Sequence, residues 1–510
     1  MKNKMLLRFL CLLLTLCLTA APLFFVVGSA AGYEKDCPYI YVHGFMGSDV
    51  YVDPDDPDSD VVWPPSTNSI LTAVKNSLPA LTKFVITHDY DALGDAVIPE
   101  VTAMFAPCFN DPDGTAGGKS GVRFEYPAAD TVTPDGEYNF IYDWRIDPIE
   151  VAGQLDEFID YIRQCSGCEQ VVLEGHSFGG VILNTYACLY GEKNAVRSYA
   201  FNSTAVFGET YTGELMTGQM KLDADALTEY LKSVMDYNDF EKLLDGIFQL
   251  LNDANITDAI CKLGNKIIEK IGDRACAESV VPMFGGWLSI WAMVPDEYIE
   301  EAQDYVFNTI YKDSTVDRSG LIEKIDDFNA RVRVNKVQTL KNIDENANLY
   351  VVARYGYSSM FITPSWRNNS DTVIDAKYAS FGAAACDYNK TFSDEETAGA
   401  DEAYISPNRQ INAAGCMFPE QTWFVRSFPH SLWCEDFKTF VKTLLYYDGQ
   451  ATVDTFEEYP RFLVYGMNGD TVQKDTAAPQ KLTFFQRLRN FFAEIIAKLK
   501  TIFHPVMFLK

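Results

Sequence analysis

Residues 171–180 read Val-Val-Leu-Glu-Gly-His-Ser-Phe-Gly-Gly, an apolar run that ends in Gly175-x-Ser177-x-Gly179 and leads into a helix-like stretch over 181–189. That order is a buried strand, a tight bend and a helix, with a serine hydroxyl presented at the bend. Such a bend strains the backbone so that side chains two residues before and after the serine would collide, and glycine stands at both places. The chemistry served is nucleophilic attack on a carbonyl carbon. It needs three more things: N–H donors for an oxyanion, a base for the hydroxyl proton and a carboxylate that orients the base.

One donor follows the nucleophile, at Phe178. The second is expected from a loop after an early strand. The segment Tyr39-Ile-Tyr-Val-His43 is such a strand and runs into Gly44-Phe45-Met46-Gly47-Ser48, where Gly44 permits close backbone approach and the Phe45 amide donates. The base is expected late in the chain, since in this arrangement the partners follow in the order serine, acid, histidine. Of the five histidines, His43 and His176 sit inside the oxyanion loop and the bend, His88 precedes the serine and His504 lies in the tail. His430 remains, between Phe428-Pro429 and a helical pattern through Phe437, Phe440, Val441, Leu444 and Leu445. For the carboxylate, Asp371-Thr372-Val373-Ile374 has the form of an acid turn after a strand, with Asp375 and Asp401 as competitors.

The elements that must position these groups alternate. A strand around Phe140-Ile141-Tyr142 is followed by a helix with Ile149, Val151, Leu155, Phe158, Ile159 and Ile162 on one face, then by the Ser177 strand, a helix and another strand over 197–202. Strand and helix in succession predict an α/β fold with a mostly parallel sheet covered on both faces. The acidic, proline-broken loop 53–60 and Trp63-Pro64-Pro65 read as a surface excursion or lid. Residues 214–346 change to amphipathic helices, predicted over 226–235, 240–251, 260–271 and 297–310, and read as a helical cap inserted into the sheet domain. Within it, the apolar run from Phe284 to Val294, with Trp287 and Trp291, is either cap core or a surface for an acyl chain. The expected organisation is therefore a signal segment at 1–31, a core in two parts at 32–213 and 347–467, the cap at 214–346, a linker at 468–480 and a tail helix at 481–510.

Composition narrows the function. A 510-residue chain with 47% hydrophobic residues buries a large core, and a net charge of −29 excludes nucleic acid as a partner because phosphates would be repelled. Lys2, Lys4 and Arg8, an apolar stretch over 9–27 and Gly28-Ser29-Ala30-Ala31 form a secretory signal, with a retained anchor as the competing reading; either places the body outside the cytosol. Ten of the twelve cysteines follow it, an even number that permits disulfides without choosing a pairing. Cys165-Ser-Gly-Cys168 lacks a second pair at metal-ligand spacing and reads as a local structural feature. The prolines of loop 53–60 are unlike a calcium loop, so no metal or organic cofactor is expected.

On these residues the chain resembles the lecithin:cholesterol acyltransferase-like branch of the α/β-hydrolases. The matching features are His43-Gly44-Phe45-Met46-Gly47-Ser48, Trp63-Pro64, Tyr142-Asp143-Trp144-Arg145, the bend at 175–180 and Trp291-Ala292-Met293-Val294-Pro295. The resemblance covers roughly residues 39–447. The resemblance implies an exported serine lipase, esterase or lipid O-acyltransferase, with Ser177, Asp371 and His430 as triad, Phe45 and Phe178 amides as oxyanion hole, and Trp287 and Trp291 as substrate contacts. The family's Gly-Asp-Gly or Asp-Asp before Thr-Val is replaced by Asn369-Ser370-Asp371. Readings from other classes are a surface-binding protein that keeps the scaffold without turnover, and a serine peptidase. In the tail, Phe484, Leu488, Phe491, Phe492, Ile495, Leu499 and Ile502 trace one helical face, and six Lys/Arg stand against Glu494 alone, which suits binding at a membrane surface. Deleting residues 481–510 is expected to release the chain from anionic vesicles in a sedimentation assay while leaving esterase activity intact.

Overall fold

Strands that are apolar at nearly every position need cover on both faces, and those of this chain receive it. The computed structural model describes residues 35–235, 256–466 and 471–476. Eight strands form the main sheet: β1 (Tyr39–Val42), β2 (Glu137–Phe140), β3 (Val171–His176), β4 (Val196–Asn202), β5 (Asn348–Tyr355), β6 (Thr422–Arg426), β7 (Phe462–Gly466) and β8 (Thr471–Lys474). Their spatial order is β8-β7-β6-β5-β4-β3-β1-β2, parallel throughout except for β8 against β7.

Because side chains alternate along a strand, each strand feeds two cores. Ile40, Val42, Val171, Leu173, Tyr199, Phe201, Leu349 and Val351 pack against helices α1 (Pro148–Ser166), α2 (Phe178–Tyr190) and α3 (Lys336–Asn346). Tyr39, Val172, Ala200, Tyr350 and Val352 pack against α4 (Glu435–Leu445), whose Phe437, Phe440, Val441 and Leu444 are fully buried. Each such side chain contributes about 1.5–3 kcal/mol by leaving water. Helix α1 begins where it does because Pro148 occupies its first position and the Asp147 carboxylate accepts from Ile149 N–H at 2.9 Å; it stops at Gly167, φ 73°.

Between β4 and β5 the described chain is helical and irregular, as expected for residues 214–346, with Thr210–Met216, Ala224–Met235, Ile256–Ala275, Leu288–Met293 and Ser319–Arg331 preceding α3. The helix expected over 240–251, the signal segment 1–31 and the tail 481–510 lie outside the described residues. Two differences from the sequence reading stand out. Beyond the expected excursion at 53–65, where no element was assigned, the chain forms two helices, Thr67–Thr87 and Tyr90–Phe105, capped by the Ser66 hydroxyl and the Asp89 carboxylate. Within the expected linker, Thr471–Lys474 pairs as edge strand β8, where Val472 is buried and the Asp475 carboxylate takes a two-pronged bond from Arg426 at 2.7 Å. Among the described residues no helix is long and apolar enough to cross a membrane, and the ten cysteines are all free.

Candidate active site

The strand order reverses at β1, which has β2 on one side and β3 on the other. In open sheets of this kind the loops leaving the carboxyl ends of two such strands part and form a crevice. Gly44 follows β1 and Ser177 follows β3, so both border it.

Ser177 has φ 57° and ψ −125°, a conformation that L-residues rarely hold. Close packing around it explains why. A Cβ on Gly175 would lie 2.8 Å from the Gly179 carbonyl carbon, one on Gly179 would collide with the Val42 carbonyl oxygen, and one on Gly180 would collide with Thr204. The Ser177 N–H donates to Asn202 O at 3.1 Å, and its carbonyl accepts from Gly180 at 3.1 Å and Ala205 at 3.3 Å. Phe178 opens α2, so its N–H has no partner within the helix and adds to the positive end of the helix dipole.

The loop after β1 lies directly against the serine. A Cβ on Gly44 would stand 2.7 Å from Ser177 Cβ and 3.2 Å from its Oγ. The loop is held by the Tyr142 segment: Tyr142 Oη donates to His43 O at 2.6 Å, Ser48 Oγ to Tyr142 O at 2.8 Å and Trp144 Nε1 to Ser48 O at 3.0 Å. The Phe45 ring meets the Trp144 ring at 4.9 Å and the Trp287 ring at 5.8 Å. Arg145, fully buried, grips both oxygens of Asp143 at 2.9 and 2.6 Å and reaches on to Ser120 and the Cys108 carbonyl. The Tyr-Asp-Trp-Arg segment is thus a brace for the loop beside the serine.

On the other side, His430 and Asp371 meet twice. The His430 backbone N–H donates to Asp371 O at 2.7 Å, and its ring Nδ1 lies 2.7 Å from Asp371 Oδ2. The fully buried carboxylate also accepts from Val373 and Ile374 N–H through Oδ1, at 3.1 and 2.8 Å. An ionised carboxylate only accepts, so Nδ1 carries the proton and Nε2 of the neutral ring carries the lone pair. The His430 ring sits 4.6 Å from the ring of His176, the residue before the serine. Burial holds His176 well below the usual histidine range, with the charges of His430 and Arg354 adding to it, and burial lowers His43 to about 4.

Of the competing acids, Asp375 is buried and bonded to Thr210 and Asn368, and burial raises it to about 6. Asp401 is exposed and caps a short turn through Ala403 N–H. Neither contacts His430 through a hydrogen bond.

Residues 136–243 match a family model described as alpha/beta hydrolase fold, and the parallel sheet, its helical cover and the bend at Ser177 agree with it. The chain has the α/β-hydrolase fold. No curated protein and no solved structure matches it. Within this hydrolase fold, Trp287 and Trp291 lie in the seam between insertion and sheet. Both are buried, and their indole N–H groups donate to Cys108 O and Gly285 O at 2.9 Å each. Sequence reasoning passed over Glu174, Asn202 and Arg354, polar residues of largely apolar strands and all buried. A charge inside a buried strand is the signal that marks two of them.

Glu209, buried just after β4, titrates abnormally: burial pushes its carboxyl up to about 8 against the bonds from Thr212 and Tyr211, with Asp375 and Asp371 adding to the rise. From the ordinary value of 4.5 up to about 8, the folded chain keeps a proton that the unfolded chain has released. This contribution to stability is complete below the lower value and is lost as pH climbs through the upper one. Glu209→Gln, permanently neutral, is expected to flatten the fall in Tm between about pH 5 and about pH 8 in a melting series.

Proposed function

We propose that this chain is an exported serine hydrolase of lipid esters, or a lipid O-acyltransferase, working through an acyl-enzyme on Ser177. What supports the reading is a serine in a strained bend with a glycine loop pressed on its Cβ, together with a histidine that is tethered at Nδ1 to a buried carboxylate and lies ring to ring, 4.6 Å, with the residue before that serine. In this reading Ser177 Oγ attacks the ester carbonyl while His430 Nε2 takes its proton. The oxyanion faces the N–H groups of Phe178 and Phe45, where preorganised donors are worth most. Collapse expels the alcohol, which takes the proton from His430, and water or a second alcohol then repeats the sequence to release the acyl group. Asp371 keeps the imidazole in its tautomer and stabilises the imidazolium.

The lipid part of the reading rests on the resemblance at Tyr142–Arg145 and at Trp291–Pro295, together with the basic, aromatic tail suited to a membrane surface. Export rests on the charged and apolar pattern of the first 31 residues.

Turnover of p-nitrophenyl esters and stoichiometric labelling by a fluorophosphonate are expected for the wild-type chain, with both lost in Ser177→Ala. Asp371→Asn, with the ring free to adopt the wrong tautomer, is expected to lower kcat by about 10⁴-fold. Preference for amide over long-chain ester substrates would instead indicate a peptidase, and absence of both turnover and labelling a binding protein. Gly44→Ala inserts a methyl group 2.7 Å from Ser177 Cβ and is expected to lower kcat/KM by about 100-fold and to cost about 1–3 kcal/mol of stability through overpacking, read by ester kinetics beside a thermal melt.

A further inference from the structure

Strand β5 reads Asn-Leu-Tyr-Val-Val-Ala-Arg-Tyr, and its single charge, Arg354, is completely buried. Alternation puts Arg354 on the face of Tyr350 and Val352, toward α4, where Phe428 and Phe437 stack on its guanidinium at 4.4 and 4.5 Å. Its Nη1 donates to three carbonyls of the base-bearing loop: Pro429 at 3.2 Å, His430 at 3.0 Å and Leu432 at 3.0 Å. Its Nη2 donates to Asn202 Oδ1 at 3.1 Å. Asn202 in turn gives its amide N–H to Glu174 Oε1 at 2.8 Å, and Tyr39 Oη closes the chain on Glu174 Oε2 at 2.7 Å.

The same Asn202 accepts the Ser177 N–H through its backbone carbonyl. One residue therefore touches the nucleophile's backbone with its main chain and the arginine that gathers the histidine loop with its side chain. No carboxylate bonds the guanidinium directly among the described residues. Nη1 is committed to loop carbonyls and Nη2 to Asn202, while Nε has no hydrogen-bond partner, an arrangement that fixes a backbone path rather than pairing a charge. Asp371 and, one amide away, Glu174 are the carboxyl groups whose charge acts on it.

We propose that Arg354, with Asn202 as its bridge, is the positioning residue that sets His430 in register with Ser177. The assignment rests on reading Ser177 and His430 as nucleophile and base. Without the guanidinium, three loop carbonyls lose their common donor, and the ring loses the fixed backbone that keeps Nδ1 on Asp371. A displacement on the order of an ångström at such a base costs about 100-fold in rate.

The test compares full-length wild type, Ser177→Ala, Arg354→Ala and Arg354→Lys. One readout is the rate of fluorophosphonate labelling and kcat per labelled site. The other is the far-downfield proton NMR resonance of an imidazole N–H held by a carboxylate, which needs no turnover. Expected results are a resonance kept in Ser177→Ala and lost in Arg354→Ala, labelling slowed by about 100-fold with KM nearly unchanged, and partial recovery of both on adding guanidinium ion below denaturing concentrations. Arg354→Lys retains the buried charge without the planar fork and is expected to fold and fall between the two, so it carries the test if the alanine variant does not fold. A folded Arg354 variant that keeps the resonance and labels at the wild-type rate overturns the proposal. A wild-type chain with the resonance but neither labelling nor turnover refutes the hydrolase reading, while the resonance still decides the role of Arg354.

Discussion

The backbone of Ser177 at φ 57° is the constraint on which the site depends. A residue so held costs about 1–3 kcal/mol and persists only where its surroundings leave no alternative. The surroundings here are backbone on every side: the Val42 carbonyl beneath Gly179, Gly179 against Gly175, and Gly44 against the serine itself. Three glycines at fixed offsets let three chain segments approach without Cβ atoms between them. Relaxing the bend would require those segments to separate, and the sheet hydrogen bonds of β1 and β3 hold them together.

The parallel sheet converts this local constraint into a site. Neighbouring parallel strands end at the same edge, so groups far apart in sequence arrive together without long loops. β1 brings the glycine loop, β3 the serine, and the strands beyond bring Asp371 and His430, whose main chains bond to each other as well as their side chains. Tyr142, after β2, reaches back to the carbonyl of His43 from the far side.

What was legible in the sequence followed from how local the physical demand was. The bend at Ser177 requires glycine within three residues on either side, so it could be read directly. His430 emerged because only five histidines exist and four stand elsewhere. Acids are abundant, and what separates Asp371 from Asp375 and Asp401 is a contact across 59 residues of chain, invisible to spacing. The Arg354 network draws on four strands and a loop, so no single window contains it. The helices Thr67–Thr87 and Tyr90–Phe105 were obscured by Pro79 and Pro99 within them and by a thin buried stripe, chiefly Ile70, Phe84, Leu93 and Ile98. Strand β8 looked like linker because an edge strand has one face to solvent and needs only Val472 inside.

The aromatic seam has a mechanical consequence. Trp287, part of the helical insertion, meets both Phe45 and Trp144, while Leu288 N–H bonds the Arg145 carbonyl at 3.1 Å. This corner of the insertion and the Phe45 loop after β1 are thereby tied together. Lifting that corner of the insertion to admit a bulky molecule would slacken the very amide expected to meet the developing negative charge.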